Sequence, residues 1–183
     1  MFLYHGTSRE YLTSILKNGL CPRSVTGYKS KTNYDDDWAA SSDGVYLTSD
    51  YAAIYAYWKS TVLGVIFEVN MDMLDEVNFR PDEDYLVHII PNRHTVRMMQ
   101  KADNYKWMWK KSLYEQGQLR YRGIIPPNTI TRYVIVERHN LPDPPLNFTI
   151  SLEYHEDNEG FHRAGMLQFF EGSDKTLALV NLY

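Results

Sequence analysis

The chain holds a single cysteine, Cys21, among its 183 residues. That excludes an intramolecular disulfide and any zinc site built from several cysteines, and it makes a reducing, cytoplasmic setting the default expectation. Long apolar runs are also lacking: nothing approaches the roughly 18 residues that a membrane helix requires. No basic segment followed by an apolar stretch opens the chain, so neither a membrane span nor a signal peptide is expected. Against these absences stands a hydrophobic content of 44%, ample for the core of one compact unit.

Charge of one sign is scarce in the middle of the chain. Residues 88–133 carry nine Lys/Arg and two Asp/Glu, an excess of +7, whereas residues 1–87 and 134–183 come to −6 and −5. A local excess of this size can form a patch that attracts phosphate, or it can be the solvated face of a helix.

Chemistry-bearing residues appear at the start. In "LYHGTS" (3–8), Phe2, Leu3 and Tyr4 read as a short strand, and T-S-R-E from Thr7 reads as a capping box that opens a helix with Leu12, Ile15 and Leu16 inward. "KNGLCP" supplies the stop, with Gly19 free to turn left-handed and Pro22 beyond it. His5 and Gly6 are therefore expected in a strand-to-helix turn. A helix N-terminus favours carboxamide oxygens or anions, and glycine lets a planar ligand approach the main chain. The plainer alternative is a strand-end histidine beside a turn glycine.

A second strand-to-helix unit follows the acidic stretch "NYDDDWAASSDG". "GVYLTSDYAAIYAYW" (44–58) gives a strand over Val45–Leu47, caps at Thr48, Ser49 or Asp50, and a helix crowded with Tyr51, Tyr55 and Tyr57. Aromatic core packing accounts for at least one of these tyrosines. "VLGVIFEVN" (62–70) is the strongest strand pattern in the chain. "RHTVRMMQKADNYKWMWKKSLYEQ" (93–116) reads as one long helix, with Val96, Met99, Trp107 and Leu113 as inward candidates and Arg97, Lys101, Lys106, Lys110 and Lys111 spread more widely. Arg120 and Arg122 follow. Basic residues interleaved with Tyr105, Trp107, Trp109 and Tyr121 have the composition of a surface that holds phosphates and stacks unpaired bases; equally, the aromatics of an amphipathic helix pack on a core. Beyond the proline-rich "NLPDPPLN", residues 148–172 read as two strands around an "EDNEG" turn, with a further strand in "TLALVNLY". His155 and His162 flank that turn without a third metal ligand in sight.

Taken in order, "YHGTS…ILKNGLCP", "GVYLTSDYAAIYA", "VIFEVNMDMLDEVNFRPDEDYL" and "YRGIIPPNTI" resemble the ADP-ribosyltransferase superfamily, which includes bacterial toxins, poly-ADP-ribose polymerases, DNA- and RNA-modifying transferases and RNA 2′-phosphotransferases. The resemblance covers roughly residues 2–137. It implies an α+β, split two-sheet fold over residues 1–137, binding NAD in a cleft, with residues 138–183 as a C-terminal β-hairpin extension packed on the same domain. Carried over by position, His5 would hydrogen-bond a ribose hydroxyl, Gly6 would offer its backbone to the nicotinamide carboxamide, and Tyr46 would lie against the nicotinamide with Tyr55 or Tyr57 as a second wall. Thr7 and Thr48 adjoin the same cofactor site, although helix capping accounts for both.

One position departs from the family. Where many transferases place a glutamate at the start of the strand before "IPP", this chain has Gln118, with Glu115 three residues earlier. A glutamine can hold the ribose hydroxyl but lacks the charge that steadies an oxocarbenium-like transition state. The resemblance thus implies an NAD-consuming mono-ADP-ribosyltransferase, a glycosyltransferase needing no metal, in which Lys106, Trp109, Lys110, Lys111, Arg120 and Arg122 would meet a single-stranded RNA or DNA acceptor. Toxin or phage-conflict biology, with a protein partner or antitoxin, would suit such an enzyme. The alternatives are a weakly active or inactive module binding NAD, ADP-ribose or nucleic acid, and an RNA 2′-phosphotransferase; the latter family carries an additional basic N-terminal domain, whereas "HGT" stands at the start here.

Overall fold

The computed structural model describes residues 1–28, 42–137 and 178–181. Seven strands, β1 (Phe2–Ser8), β2 (Gly44–Thr48), β3 (Leu63–Asn70), β4 (Phe79–Pro81), β5 (Gln118–Arg122), β6 (Ile130–Glu137) and β7 (Ala178–Asn181), form an antiparallel sheet in the order β4-β5-β2-β1-β3-β6-β7. The helices among the described residues are α1 (Leu12–Asn18), α2 (Arg23–Thr26), α3 (Ala52–Lys59), α4 (Glu83–Ile89), α5 (Arg93–Ala102) and α6 (Trp109–Gln116). The fold is α+β. No described helix is long and apolar enough to cross a membrane.

Strand alternation sends two sets of side chains to opposite faces. Leu3, Val45, Leu47, Val65, Phe67, Leu119 and Tyr121 join a core with Ile15 of α1. On the other face Tyr4, Ile66, Val134 and Val136 meet Ala52, Ala53 and Ala56 of α3. Because β3 is covered on both faces, its sequence is apolar almost throughout. A third cluster, Tyr85, Leu86, Val96, Tyr105 and Met108, joins α4 and α5 to the turn before α6.

Several expectations are corrected. β1 runs on to Ser8, so His5 and Gly6 lie within a strand and not in a turn. Thr7 caps nothing; Ser8 caps a 3₁₀ turn at Arg9–Tyr11, its hydroxyl accepting from Glu10 N at 3.5 Å, and α1 starts only at Leu12. The long helix breaks after Ala102, where Asp103 turns left-handed at φ 51° and a 3₁₀ turn, Lys106–Met108, leads into α6. Trp107, expected inward, is 70% exposed. The expected two sheets are joined in one strand order, although the junction between β1 and β2 rests on a single registered pair, Tyr4↔Thr48. Of the C-terminal extension, β7 pairs with β6; the expected hairpin over 148–172, with His155 and His162, lies outside the described residues.

Candidate active site

β1 is fully paired on one side and released on the other. Seven residue pairs, Phe2↔Asn70 to Ser8↔Gly64, join it to β3. Past Tyr4↔Thr48 it leaves β2, and a side chain spans the parting: His5 Nδ1 lies 2.9 Å from the Tyr46 carbonyl oxygen. A carbonyl only accepts, so Nδ1–H is the donor and Nε2 of the neutral ring keeps a lone pair. Burial lowers the His5 pKa and Lys59 adds to this, while the bond to Tyr46 opposes both. The ring is thus held neutral, with one acceptor left for a hydroxyl donor.

Gly6 has a packing reason of its own. A Cβ there would stand 1.8 Å from the Ala52 carbonyl oxygen and 2.8 Å from Ala56 N, so α3 crosses directly over it. The turn before α3 is closed by Thr48, whose hydroxyl accepts from Asp50 N at 3.0 Å and Tyr51 N at 2.9 Å. The expected cap is corrected: the N-cap of α3 is Tyr51, with no side-chain cap bond, and Thr48 holds the turn that precedes it. Half-buried Thr7 sits in the β1–β3 ladder opposite Val65.

Tyr46 points into a polar cluster. Its hydroxyl donates to Glu83 Oε2 at 2.6 Å, Glu83 Oε1 is 3.2 Å from Arg120 Nε, and Arg120 also donates to Tyr105 Oη at 2.8 Å and pairs with Asp43. Burial, then the negative charges of Glu83 and Asp82, push the Tyr46 hydroxyl well above its ordinary pKa, with Arg120 opposing; it remains a donor. Asp82 caps α4, accepting from Asp84 N at 2.8 Å. Its carboxyl is driven up by burial first, then by Asp84 and Glu83.

Gln118 opens β5 opposite Thr48 and is buried. Its Oε1 accepts from the Tyr55 hydroxyl at 2.8 Å, which leaves the amide N–H donors for another partner. Strand pairing puts Tyr46 and Gln118 on the face that α3 covers, where Tyr55 reaches Gln118, whereas His5, between Tyr4 and Gly6, alternates away from that face and meets β2 through the Tyr46 carbonyl. Tyr57 lies on α3, its side chain outside the described residues. Glu115 sits elsewhere, exposed on α6, 3.6 Å from Lys111 and beside the Tyr85 hydroxyl, which burial, then Glu115, push up.

The six residues expected at nucleic acid divide. Arg120 is 2% exposed and inside the cluster just described, so it belongs to no surface. Trp109 is partly buried against the core, its ring 4.8 Å from that of Phe79. Tyr105 and Tyr121, expected as surface aromatics, are buried too. Arg122 is half-exposed and paired with Asp43 at 3.0 Å and Asp103 at 3.5 Å. Lys106, Lys110 and Lys111 remain on the outside.

The sequence does not point to Glu83 or Asp43. Alternation puts Gln118 and Arg120 on one face of β5, but only the pairing with β2 sets Arg120 opposite Tyr46, where a buried cation needs a carboxylate. Among the described residues, no group of three or more His, Cys, Asp or Glu is arranged to hold a metal ion. No protein-family model matches the chain. No curated protein matches it either. Among solved structures it is similar to one described as EcPltA, at 17% identity over 79% of this chain and 82% of that one, with a TM-score of 0.41.

Proposed function

We propose that the protein is an NAD-dependent mono-ADP-ribosyltransferase whose nicotinamide ribose is held where β1 parts from β2. The observation that carries this reading is the His5 imidazole bridging that parting through the Tyr46 carbonyl, neutral and with Nε2 open, while the same β2 strand leads to Thr48, opposite the Gln118 that Tyr55 holds. His5 Nε2 would accept from a ribose hydroxyl, the Gln118 amide would donate to a ribose oxygen, and the rings of Tyr46 and Tyr55 would flank the nicotinamide. In the reaction the ribose C1″–nicotinamide N bond breaks, nicotinamide leaves with the electron pair, and C1″ bonds to the acceptor, which loses a proton.

Gln118 bears no charge, and Glu83, the carboxylate nearest the Tyr46 hydroxyl, is paired with Arg120. Turnover should therefore be slow and limited to single units. The same observation favours a second reading, a module that binds NAD or ADP-ribose without turning it over. Incubation with NAD labelled in the nicotinamide separates the two: release that is lost in His5→Ala with folding intact supports the transferase, whereas binding without release supports the module.

A further inference from the structure

The outer face of α6 and of the 3₁₀ turn that feeds it has a composition the core does not require. Met108, Ser112 and Gln116 point inward at four-residue intervals, and Trp109 and Leu113 flank them on the core side. Lys106, Trp107, Lys110, Lys111, Tyr114 and Glu115 are left facing solvent. Trp107 is 70% and Tyr114 77% exposed, among the largest apolar exposures in the described structure. Trp107 stands in the 3₁₀ turn and Tyr114 in α6, seven residues on, with Lys110 and Lys111 between them in sequence. The Trp107 indole donates to Asn104 O at 3.2 Å, which restrains its ring.

The lysines' partners are weak competitors. Lys110 reaches Glu76 at 3.0 Å and Lys111 reaches Glu115 at 3.6 Å, with all four side chains at least 39% exposed. Exposed pairs of this kind contribute little and yield to a better anion. The stripe also leads to the candidate site: Gly117, at the end of α6, accepts from Ser49 N at 2.9 Å in the turn after β2, and Gln118 follows it.

We infer that this stripe docks single-stranded nucleic acid, with unpaired bases stacked on Trp107 and Tyr114 and phosphates on Lys110 and Lys111. A flat ring accepts any base, and the intervening cations match the backbone charge. Its service as the acceptor dock rests on the transferase reading; its binding of single strands does not.

The test uses the full chain without NAD, measuring fluorescence anisotropy of labelled single-stranded RNA and single-stranded DNA over a salt series. Trp107→Ala and Tyr114→Ala should each weaken binding roughly five- to 150-fold. Lys110→Gln with Lys111→Gln should lower the slope of log affinity against log salt by about 1.4, at roughly 0.7 for each phosphate no longer neutralised. Whichever of RNA and DNA binds more tightly supports the inference and names the sugar. Equal binding of duplex DNA or of poly-glutamate, or affinities indifferent to both aromatic substitutions, would overturn it. A protein that binds the oligonucleotide but neither binds nor hydrolyses NAD keeps this inference and discards the transferase.

Discussion

β1 has two neighbours and meets them differently. Toward β3 its backbone is engaged along seven pairs; toward β2 it is engaged at one, and beyond that the His5 ring takes over. Full pairing holds β1 against β3, while past Tyr4 the Tyr46 carbonyl is met by the His5 ring, which is where the proposed site would take its ligand. β2 is steadied from its far side, through five pairs to β5 and the buried Tyr46–Glu83–Arg120 cluster. A site between two strands would need both strands anchored on their far sides, and β1 and β2 each are.

The largest effect should come from removing the anchor of the β2 wall. Arg120→Met leaves Glu83 buried beside a neutral side chain and should cost about 3–5 kcal/mol, read from the denaturant midpoint. A change below about 1 kcal/mol would mean that the cluster does not hold β2.

Next comes the helix laid over β1. Gly6→Ala drives a methyl group into the backbone of α3 and should destabilise by about 3 kcal/mol. Retained stability together with lost NAD binding would instead make Gly6 a ligand contact only.

If the proposed site holds NAD, Gln118→Glu at the head of β5 would place a negative charge near the ribose and should speed nicotinamide release, lowering the barrier by roughly 1–3 kcal/mol. Slower release from this variant, joined to loss of release in Glu115→Gln, would transfer the charged role to Glu115 on α6.

The smallest effect is a pH slope. Burial keeps the folded-state pKa of His5 below the ordinary 6.5, so the unfolded chain takes up that proton more readily. Its contribution is fully present above 6.5 and drains away as pH falls from there toward the lower folded value. His5→Gln should flatten that part of the acid limb; an unchanged limb would show that folding does not lower the His5 pKa.

How much of this was readable depended on whether a local pattern fixed the answer. β3 declared itself because both of its faces are covered, and Gly19, at φ 79°, ends α1 where the sequence said it would. Gln118 was placed correctly at the head of its strand. Trp107 was misplaced because a helix counted from Val96 brings residue 107 inward after three turns, and the break at Asp103 resets that phase. What causes the break is distant: the Asp103 carboxylate is held in two hydrogen bonds of 2.6 Å by Arg80 of β4. Glu83 was hidden for a similar reason. An acidic residue in the first turn of a helix reads as dipole matching, and only the pairing of β2 with β5 brings Tyr46 and Arg120 to it.

The most direct measurement is calorimetric titration of NAD into the wild-type protein and into His5→Ala. The cleft account predicts saturable binding to the wild type and at least a tenfold weaker affinity, about 1.4 kcal/mol, for a variant that remains folded. Equal affinity in the two proteins, or no binding by the wild type, would contradict it.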